Sequence, residues 1–272
     1  MIALRGLALD AGGKPLLRNV NASIESGEFV ALLGRNGAGK TTLLRTIAGL
    51  HAARAGTISI DGIPAARLRP LERARRVAFV TGDEVLVDAL TVAEVVAIGR
   101  FPHHRWWQWQ ADGDDERAVA EALGAVRLEP FAQRLFSTLS AGERQRVWIA
   151  LGLAQATPIL LLDEPTSHLD VRVAHEILDL LQRLARAGKA IVCALHDLNE
   201  AAAYADRIAL LGDGTLLRAA PPDELLDEPT IDGAYGIGME RVRLSDGRLR
   251  VFARPTDARE ASCERPSRAP SE

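Results

Sequence analysis

Short runs of consecutive apolar residues recur along the chain and predict buried β-strands. The runs lie at 2–9, 28–33, 57–60, 76–80, 159–162, 190–195 and 207–211. The middle and later runs are continuous rather than alternating, as in ILLL at 159–162. Because the strands of a parallel sheet are covered on both faces, continuous apolar runs favour a parallel sheet.

Other segments repeat their apolar positions every three or four residues, which predicts helices. These segments lie at 40–48, 91–99, 114–123, 141–154 and 171–187. The last of them stops at Gly188, and glycine is a common residue at helix ends. Strands and helices alternate at both ends of the chain, whereas 84–156 has a helical pattern without strands. We therefore predict an α/β core that is interrupted by a helical insertion.

Composition and charge disfavour some classes of protein but do not specify the function. The chain has 272 residues, 47% of them apolar and 25% charged, which is ordinary for a globular protein. The formal net charge of -3, with interspersed signs, favours no nucleic-acid partner. No run approaches the ~18 apolar residues that span a bilayer, and we expect a cytosolic chain.

Cys193 and Cys263 form neither a disulfide framework nor a metal-binding spacing. The tail 254–272 is rich in Pro, Ser and charge, and we expect it to be disordered.

The strongest chemical signal is a glycine-rich stretch between the strand at 28–33 and the helix at 40–48. Its residues are Gly34, Arg35, Asn36, Gly37, Ala38, Gly39, Lys40, Thr41 and Thr42, and they fit G-x-x-x-x-G-K-[ST]. Glycines let backbone N–H groups surround a phosphate, Lys40 would reach the β- and γ-phosphates, and the Thr41 hydroxyl would ligate Mg²⁺. The stretch therefore predicts a nucleoside triphosphate site, and a plain glycine-rich turn is the weaker interpretation.

Two carboxylates follow the apolar run at 159–162. Asp163 and Glu164 would lie at the carboxyl end of a strand, where α/β sheets bind ligands. We expect Asp163 to hold Mg²⁺, usually through water, and Glu164 to act as general base on the attacking water. His196 ends the next apolar strand and would lie near the same edge, within reach of the γ-phosphate, although a lone histidine is more often structural. The alternative, that the two carboxylates only cap the next helix, is weaker beside the phosphate loop. The residues together predict a nucleotide hydrolase.

A second candidate anion site lies about a hundred residues beyond the phosphate loop, in LSAGERQRV at 139–147. Its Ser-Ala-Gly turn would present bare N–H groups at a helix N-terminus, where an anion is favoured. Alone, this stretch would be an ordinary helix start with a solvated, arginine-rich face.

In combination these motifs resemble the ATP-binding subunit of ATP-binding cassette (ABC) transporters. GRNGAGKTT, LSAGERQRV, ILLLDEP, SHLD at 167–170 and His196 occur in the family's order over roughly residues 1–220. The resemblance implies a P-loop NTPase (RecA-like) core at about 1–83 and 157–220, with an N-terminal antiparallel β region. It also implies an α-helical subdomain at about 84–156 and a C-terminal extension at 221–253, the whole ABC ATPase domain being 1–253.

The resemblance further implies a head-to-tail dimer that binds ATP and Mg²⁺ between its two copies. The signature residues Ser140, Ala141, Gly142 and Glu143, together with Asp170, would contact nucleotide in trans. Transmembrane permease subunits are the implied partners, with a periplasmic or lipoprotein substrate-binding protein involved indirectly. The implied location is peripheral, on the cytoplasmic side of the inner membrane.

A narrower resemblance is to cassettes that import iron-siderophore, haem or cobalamin. It rests on VAEVVAIGRFPHH at 92–104, LHDLNEAAAYADRIALLGDGTLL at 195–217 and APPDELLDEPTI at 220–231. The alternatives are a soluble ABC protein and a regulatory cassette with weak hydrolysis. The first is disfavoured by the single cassette without heptads, and the second by the intact Glu164 and His196.

Two positions depart from the family pattern. Ala11 stands where an aromatic ring that stacks on adenine is expected, which predicts weak nucleotide affinity or compensation elsewhere. Gly82 stands where the family has the glutamine of its Q-loop. Asp83 or Glu84 would ligate Mg²⁺ instead, or the loop is less tightly coupled to the site.

An aromatic segment at 101–110 has no assigned chemistry. His103 and His104 are poorly placed as a metal pair without further ligands. Trp106, Trp107 and Trp109 would either pack the helical subdomain or contact a permease, and the sequence favours neither.

Overall fold

The computed structural model describes residues 1–81, 87, 89–104, 113–245 and 247–254. Its strands are β1 (Ile2–Ala11), β2 (Lys14–Ile24), β3 (Phe29–Leu33), β4 (Ala55–Ile60), β5 (Ile63–Pro64), β6 (Val77–Thr81), β7 (Ile159–Asp163), β8 (Ala190–Ala194), β9 (Arg207–Gly212), β10 (Thr215–Ala220), β11 (Met239–Arg243) and β12 (Leu249–Ala253). Its α-helices are α1 (Lys40–Ala48), α2 (Pro70–Ala74), α3 (Val92–Ala97), α4 (Gly113–Ala125), α5 (Ala141–Ala154), α6 (Val171–Arg186), α7 (Leu198–Tyr204), α8 (Pro222–Asp227) and α9 (Thr230–Tyr235). Within these described ranges, no helix combines the length and the apolar character needed to cross a bilayer.

The central sheet has six strands in the order β10-β9-β3-β8-β7-β6. Strands β9, β3, β8, β7 and β6 run parallel, and β10 is antiparallel to β9. All five residues of β3 are buried. Phe29, Ala31 and Leu33 join the apolar cluster on one face of the sheet, and Val30 and Leu32 join the cluster on the other face. The predicted α/β core is confirmed, and burial on both faces explains the continuous apolar runs.

A separate antiparallel sheet with the order β2-β1-β4-β5 forms the N-terminal β region. The pairing of β1 with β2 shifts register three times between Leu4 and Asp10. Gly6 has a φ of +56° and Asn19 one of +50°, and the Gly6 N–H donates to Asn21 Oδ1 over 2.8 Å. Because bulges break the alternation of inward and outward side chains, β2 carries no clean strand pattern. The sequence analysis did not predict it as a separate strand.

Helices α3, α4 and α5 pack against one another in the region of the helical insertion. A buried ion pair between Arg100 Nε and Asp115 Oδ1, 2.8 Å apart, joins the segment after α3 to α4. His104 Nε2 lies 2.8 Å from Asp115 Oδ2, and His103 Nε2 lies 2.9 Å from the carbonyl oxygen of Gln155. The two histidines therefore contact separate partners within the insertion. The boundaries proposed for the insertion remain a prediction.

The C-terminal extension continues the fold beyond β10 with α8, α9 and the β11–β12 hairpin. Ile231, Leu225 and Leu226 of its helices are fully buried in the main apolar cluster. Met239, Leu249 and Val251 of the hairpin join the same cluster. The extension is thus part of the folded core. The expectation of a disordered tail at 254–272 concerns residues that lie, from 255 onward, outside the described ones.

Candidate functional site

The phosphate loop leaves the carboxyl end of β3 and enters α1. Gly34 is buried with a φ of +147°, and a Cβ there would lie 2.6 Å from the carbonyl oxygen of Leu211. Gly39 precedes α1 with a φ of +100°, a conformation that side chains rarely adopt. Both positions therefore require glycine.

Lys40 is the first residue of α1, and its side chain lies across the loop. Its Nζ donates to the carbonyl oxygen of Gly34 over 2.8 Å and to that of Arg35 over 3.4 Å. Burial lowers the pKa of the Lys40 ammonium, and the negative charges of Glu164 and Asp163 partly oppose this shift. A desolvated cation in a backbone cradle is suited to bind a phosphate group.

Two acidic residues meet the loop because β7 is separated from β3 by β8 alone. The Thr41 hydroxyl donates to Asp163 Oδ1 over 3.1 Å, at the end of β7. Hydroxyl and carboxylate oxygens are the ligands that Mg²⁺ takes, so this pair fits the metal of a nucleotide complex. Glu164 follows with a φ of +53°, a strained conformation for a residue with a side chain.

Glu164 faces the turn that follows β8. Its Oε1 lies 2.7 Å from Nε2 of His196, and its N–H donates to the carbonyl oxygen of Ala194 over 3.1 Å. Ser167 Oγ donates to Glu164 Oε2 over 3.5 Å. The structure therefore places a carboxylate and an imidazole in contact at the same sheet edge as Lys40. This arrangement can hold a water molecule for attack on a phosphate.

These residues surround a cavity of about 650 Å³ at the carboxyl edge of the sheet. Its walls are Ala11, Leu16, Asn36, Gly37, Gly39, Lys40, Thr41, Thr42, Glu164, Ser167, His168 and His196. The sequence analysis gave no cavity role to Leu16, Ser167 or His168. The SHLD motif, which begins three residues after Glu164, is the signal from which Ser167 and His168 could have been found. Leu16 gives no such signal, because only the β1–β2 pairing brings it to the wall.

Of the two positions that depart from the family pattern, Ala11 belongs to the described residues and Gly82 does not. Ala11 is exposed at the end of β1 and lines the cavity with an aliphatic surface. Gly82, Asp83 and Glu84 lie outside the described residues, as do Trp106, Trp107 and Trp109. The alternatives for those positions therefore stay open.

The signature forms the N-terminus of α5, away from the cavity walls. Ser140 is exposed and caps the helix. Its Oγ accepts from the Glu143 N–H over 3.3 Å and donates to Glu143 Oε2 over 2.8 Å. Ala141, the first residue of the helix, is exposed as well. The signature therefore presents its helix start to the surroundings rather than to the Lys40 cavity of its own chain.

The start of α6 lies beside the signature. A Cβ on Gly142 would lie 3.2 Å from Val173 Cγ1, so the two helix starts are in close contact. Asp170 caps α6, with Oδ1 accepting from the Val173 N–H over 2.9 Å. Asp170 and the signature residues therefore lie together, on a surface distinct from the lining of the Lys40 cavity.

At the sheet edge, a strand leads through a glycine loop into a helix, beside a buried lysine and paired carboxylates. These features define a P-loop nucleotide-binding protein. Sequence comparison specifies the class further, because the ABC transporter family matches residues 17–167. The chain belongs to the ABC transporter family.

Relatives and a solved structure agree with this membership over most of the chain. The hemin import ATP-binding protein HmuV of Streptomyces coelicolor is 43% identical over 235 residues, 86% of this chain and 83% of HmuV. The ferric enterobactin transport ATP-binding protein FepC of Escherichia coli is 38% identical over 238 residues, 86% of this chain and 87% of FepC. The dimeric ATP-binding cassette MJ0796, in a post-hydrolysis state with ADP and phosphate, superposes with a TM-score of 0.70 at 33% identity. That match covers 82% of this chain and 99% of MJ0796.

Proposed function

We propose that this chain is the ATP-binding and ATP-hydrolysing subunit of a bacterial importer of metal chelates, such as iron-siderophore, haem or cobalamin. It works as a head-to-tail dimer on the cytoplasmic face of the inner membrane, attached to transmembrane permease subunits. A periplasmic or lipoprotein binding protein delivers the substrate to those subunits. The names of HmuV and FepC, proteins of hemin and ferric enterobactin transport, support the substrate class.

The Glu164–His196 contact of 2.7 Å, beside Lys40, carries the proposal for hydrolysis. Lys40 and the N–H groups of the glycine loop bind the β- and γ-phosphates. Thr41 and Asp163 would hold Mg²⁺, which would neutralise charge that develops on the phosphates. Glu164 accepts a proton from the attacking water, and His196 fixes the carboxylate and contacts the γ-phosphate.

The exposed signature supports the dimer. Ser140 and Ala141 lie at an exposed helix N-terminus that forms no part of the Lys40 cavity. In a two-fold pair, each copy presents the same surface to the other, so the signature of one copy can close the cavity of its partner. ATP then joins the copies, and loss of the γ-phosphate separates them.

Mixing two inactive variants tests this arrangement. Lys40→Ala removes the loop cation, and Ser140→Trp blocks the signature, so each homodimer should lack ATPase activity. A mixed dimer contains one intact site, built from Lys40 of one chain and Ser140 of the other. Since half of randomly formed dimers are mixed, a 1:1 mixture should regain about a quarter of the wild-type rate if the sites act independently.

The control replaces Ser140→Trp by the double variant Lys40→Ala/Ser140→Trp, which leaves no intact site in any dimer. Recovery in the first mixture alone supports sites shared between copies. Full activity of the Ser140→Trp homodimer, or no recovery although mixed dimers form, would contradict it.

Transport is tested in cells that carry this chain with a candidate permease. Uptake of labelled ferric siderophore, haem and cobalamin is compared between the wild type and Glu164→Gln. Uptake of one of them that depends on Glu164 supports the substrate class. If the permease is present and bound to this chain but uptake of none of the three substrates depends on Glu164, metal-chelate import would be refuted.

A further inference from the structure

One arginine bridges several elements of the C-terminal extension. Arg241 Nε donates to the carbonyl oxygen of Leu226 over 2.7 Å, and Nη2 donates to that of Glu228 over 2.8 Å. Its Nη1 donates to the carbonyl oxygen of Met239 over 3.0 Å, and Nη2 also contacts Asp232 Oδ1 at 2.5 Å. One guanidinium thus joins α8, α9 and β11, so these elements form a single unit.

This unit is attached to α7, the helix that follows His196. In α7, Asn199 Nδ2 donates to the carbonyl oxygen of Val251 over 3.1 Å, and the Val251 N–H donates back to Asn199 Oδ1 over 3.0 Å. Arg250 Nη1 donates to the carbonyl oxygen of Asn199 over 2.7 Å. The β12 strand is therefore bonded to the helix that begins two residues after His196.

A second attachment reaches the phosphate loop itself. Tyr235 ends α9, and its hydroxyl is buried without a hydrogen-bond partner among the described residues. A Cβ on Gly236, the next residue, would lie 3.8 Å from Arg35 Nη1 of the loop. Burial raises the pKa of Tyr235 to about 12; the Gly34 N–H that faces its oxygen opposes this shift, and Asp197 adds to it. The phenol is therefore protonated at neutral pH.

The Gly34 N–H has no main-chain acceptor in the described part of the chain. The Gly34 N–H thus faces a buried hydroxyl that has no well-formed hydrogen bond among the described residues, and leaving such a hydroxyl unsatisfied is unfavourable. A small movement of the loop would join them in a hydrogen bond. A triphosphate bound to the other N–H groups of the loop would hold the loop in place for this hydrogen bond.

We propose that Tyr235 is a positioning residue for the phosphate loop: its hydroxyl accepts the Gly34 N–H when nucleotide is bound, so the C-terminal extension raises the affinity for ATP. This inference rests on the proposed function, since it requires that the loop binds ATP. Residues 221–253 lie beyond the stretch 17–167 that matches the family, and none of the motifs of the sequence analysis includes Tyr235.

The test is Tyr235→Phe in the full-length chain, with Glu164→Gln in every variant to prevent hydrolysis. Phenylalanine keeps the ring and removes only the hydroxyl. The Kd for ATP, measured by isothermal titration with Mg²⁺, should rise about 3-fold to 10-fold, the effect of one hydrogen bond. The thermal midpoint of the nucleotide-free protein should stay constant or increase, because a buried unpaired hydroxyl is removed.

Tyr204→Phe is the matched control, since Tyr204 is the other of the two tyrosines and its hydroxyl contacts His175 on α6. It should leave the Kd unchanged. A second readout is exchange of the Gly34 amide hydrogen. ATP should slow this exchange in the parent protein and slow it less in Tyr235→Phe, because the acceptor for that hydrogen is lost.

An unchanged Kd in Tyr235→Phe, or equal weakening in both tyrosine variants, would overturn the positioning role while the proposed function stands. A lower thermal midpoint with an unchanged Kd would show a structural role instead. Absence of ATP binding in the Glu164→Gln parent would overturn the proposed function and this inference together.

Discussion

Ala11 offers a gain-of-function test of the nucleotide cavity. It is exposed at the end of β1, pairs with Lys14 across the hairpin and contributes only a methyl group to the cavity wall. Tyrosine suits a strand position, and Ala11 has no positive φ that would oppose a larger side chain. Ala11→Tyr should therefore add a ring at the proposed adenine position without disturbing the fold.

The size of the gain follows from stacking of a base on an aromatic ring, about 1 to 3 kcal/mol. The new ring would stand at an exposed position on the cavity wall that Leu16 also lines, so we apply the lower half of that range. At about 1.4 kcal/mol for each factor of ten, we expect about a 5-fold to 30-fold lower Kd for ATP.

The assay is equilibrium binding of ATP, ADP and inorganic tripolyphosphate to both proteins, with hydrolysis blocked. ATP and ADP should gain equally, because the ring contacts the base rather than the γ-phosphate, and tripolyphosphate should gain nothing. Ala11→Leu, which adds apolar surface without a π-face, is the control and should gain less. Equal affinities for ATP in wild type and Ala11→Tyr, or a gain that extends to tripolyphosphate, would refute the location of the base.

The remaining predictions concern catalysis, the helical insertion and the extension. Glu164→Gln should slow phosphate release by about 10²-fold to 10⁴-fold and retain ATP binding, since only the general base is lost; unchanged turnover would contradict that role. Asp115→Ala should reduce the free energy of unfolding in urea by about 3–5 kcal/mol, because it leaves the buried Arg100 unpaired, and the exposed Asp114→Ala should have little effect. Arg241→Met should speed amide exchange in the extension, including Val251, but leave β3 protected. Acid should act in the same direction: Arg241 lowers the pKa of Asp232, so the stability from this pair is present above the usual aspartate value of 3.8 and is lost as the pH falls below it.

The central sheet could be predicted from the sequence because strands that are buried on both faces require apolar residues at consecutive positions. Continuous runs such as the one at 159–162 occupy strands whose alternate residues enter different clusters. The carboxyl ends of parallel strands meet at one edge, so the proximity of Lys40, Asp163 and His196 follows from the strand order. The lowered pKa of Lys40, in contrast, could not be predicted from the sequence, because it results from burial in the assembled fold.

Two kinds of feature could not be predicted from the sequence. The bulges opposite Gly6 shift the pairing of β1 with β2, and local patterns do not encode such shifts. The approach of Tyr235 to Gly34 joins residues that are far apart in the sequence, through the placement of α9 on β9. Short elements such as α9 carry too few residues for a helical period to emerge.

The signature and the start of α6 are in direct contact, which bears on how a nucleotide bound to the proposed partner could act on this chain. Gly142 lies directly against Val173, whose N–H is held by Asp170, and one turn further Arg146 contacts Glu176 at 2.5 Å. Because packed helices move as bodies, a γ-phosphate drawn to the signature would displace the start of α6 as well. That start connects through a short turn to the end of β7, where Asp163 and Glu164 lie. In the proposed dimer, a phosphate bound in trans would therefore act on Asp163 and Glu164, the carboxylates to which we assign Mg²⁺ binding and hydrolysis.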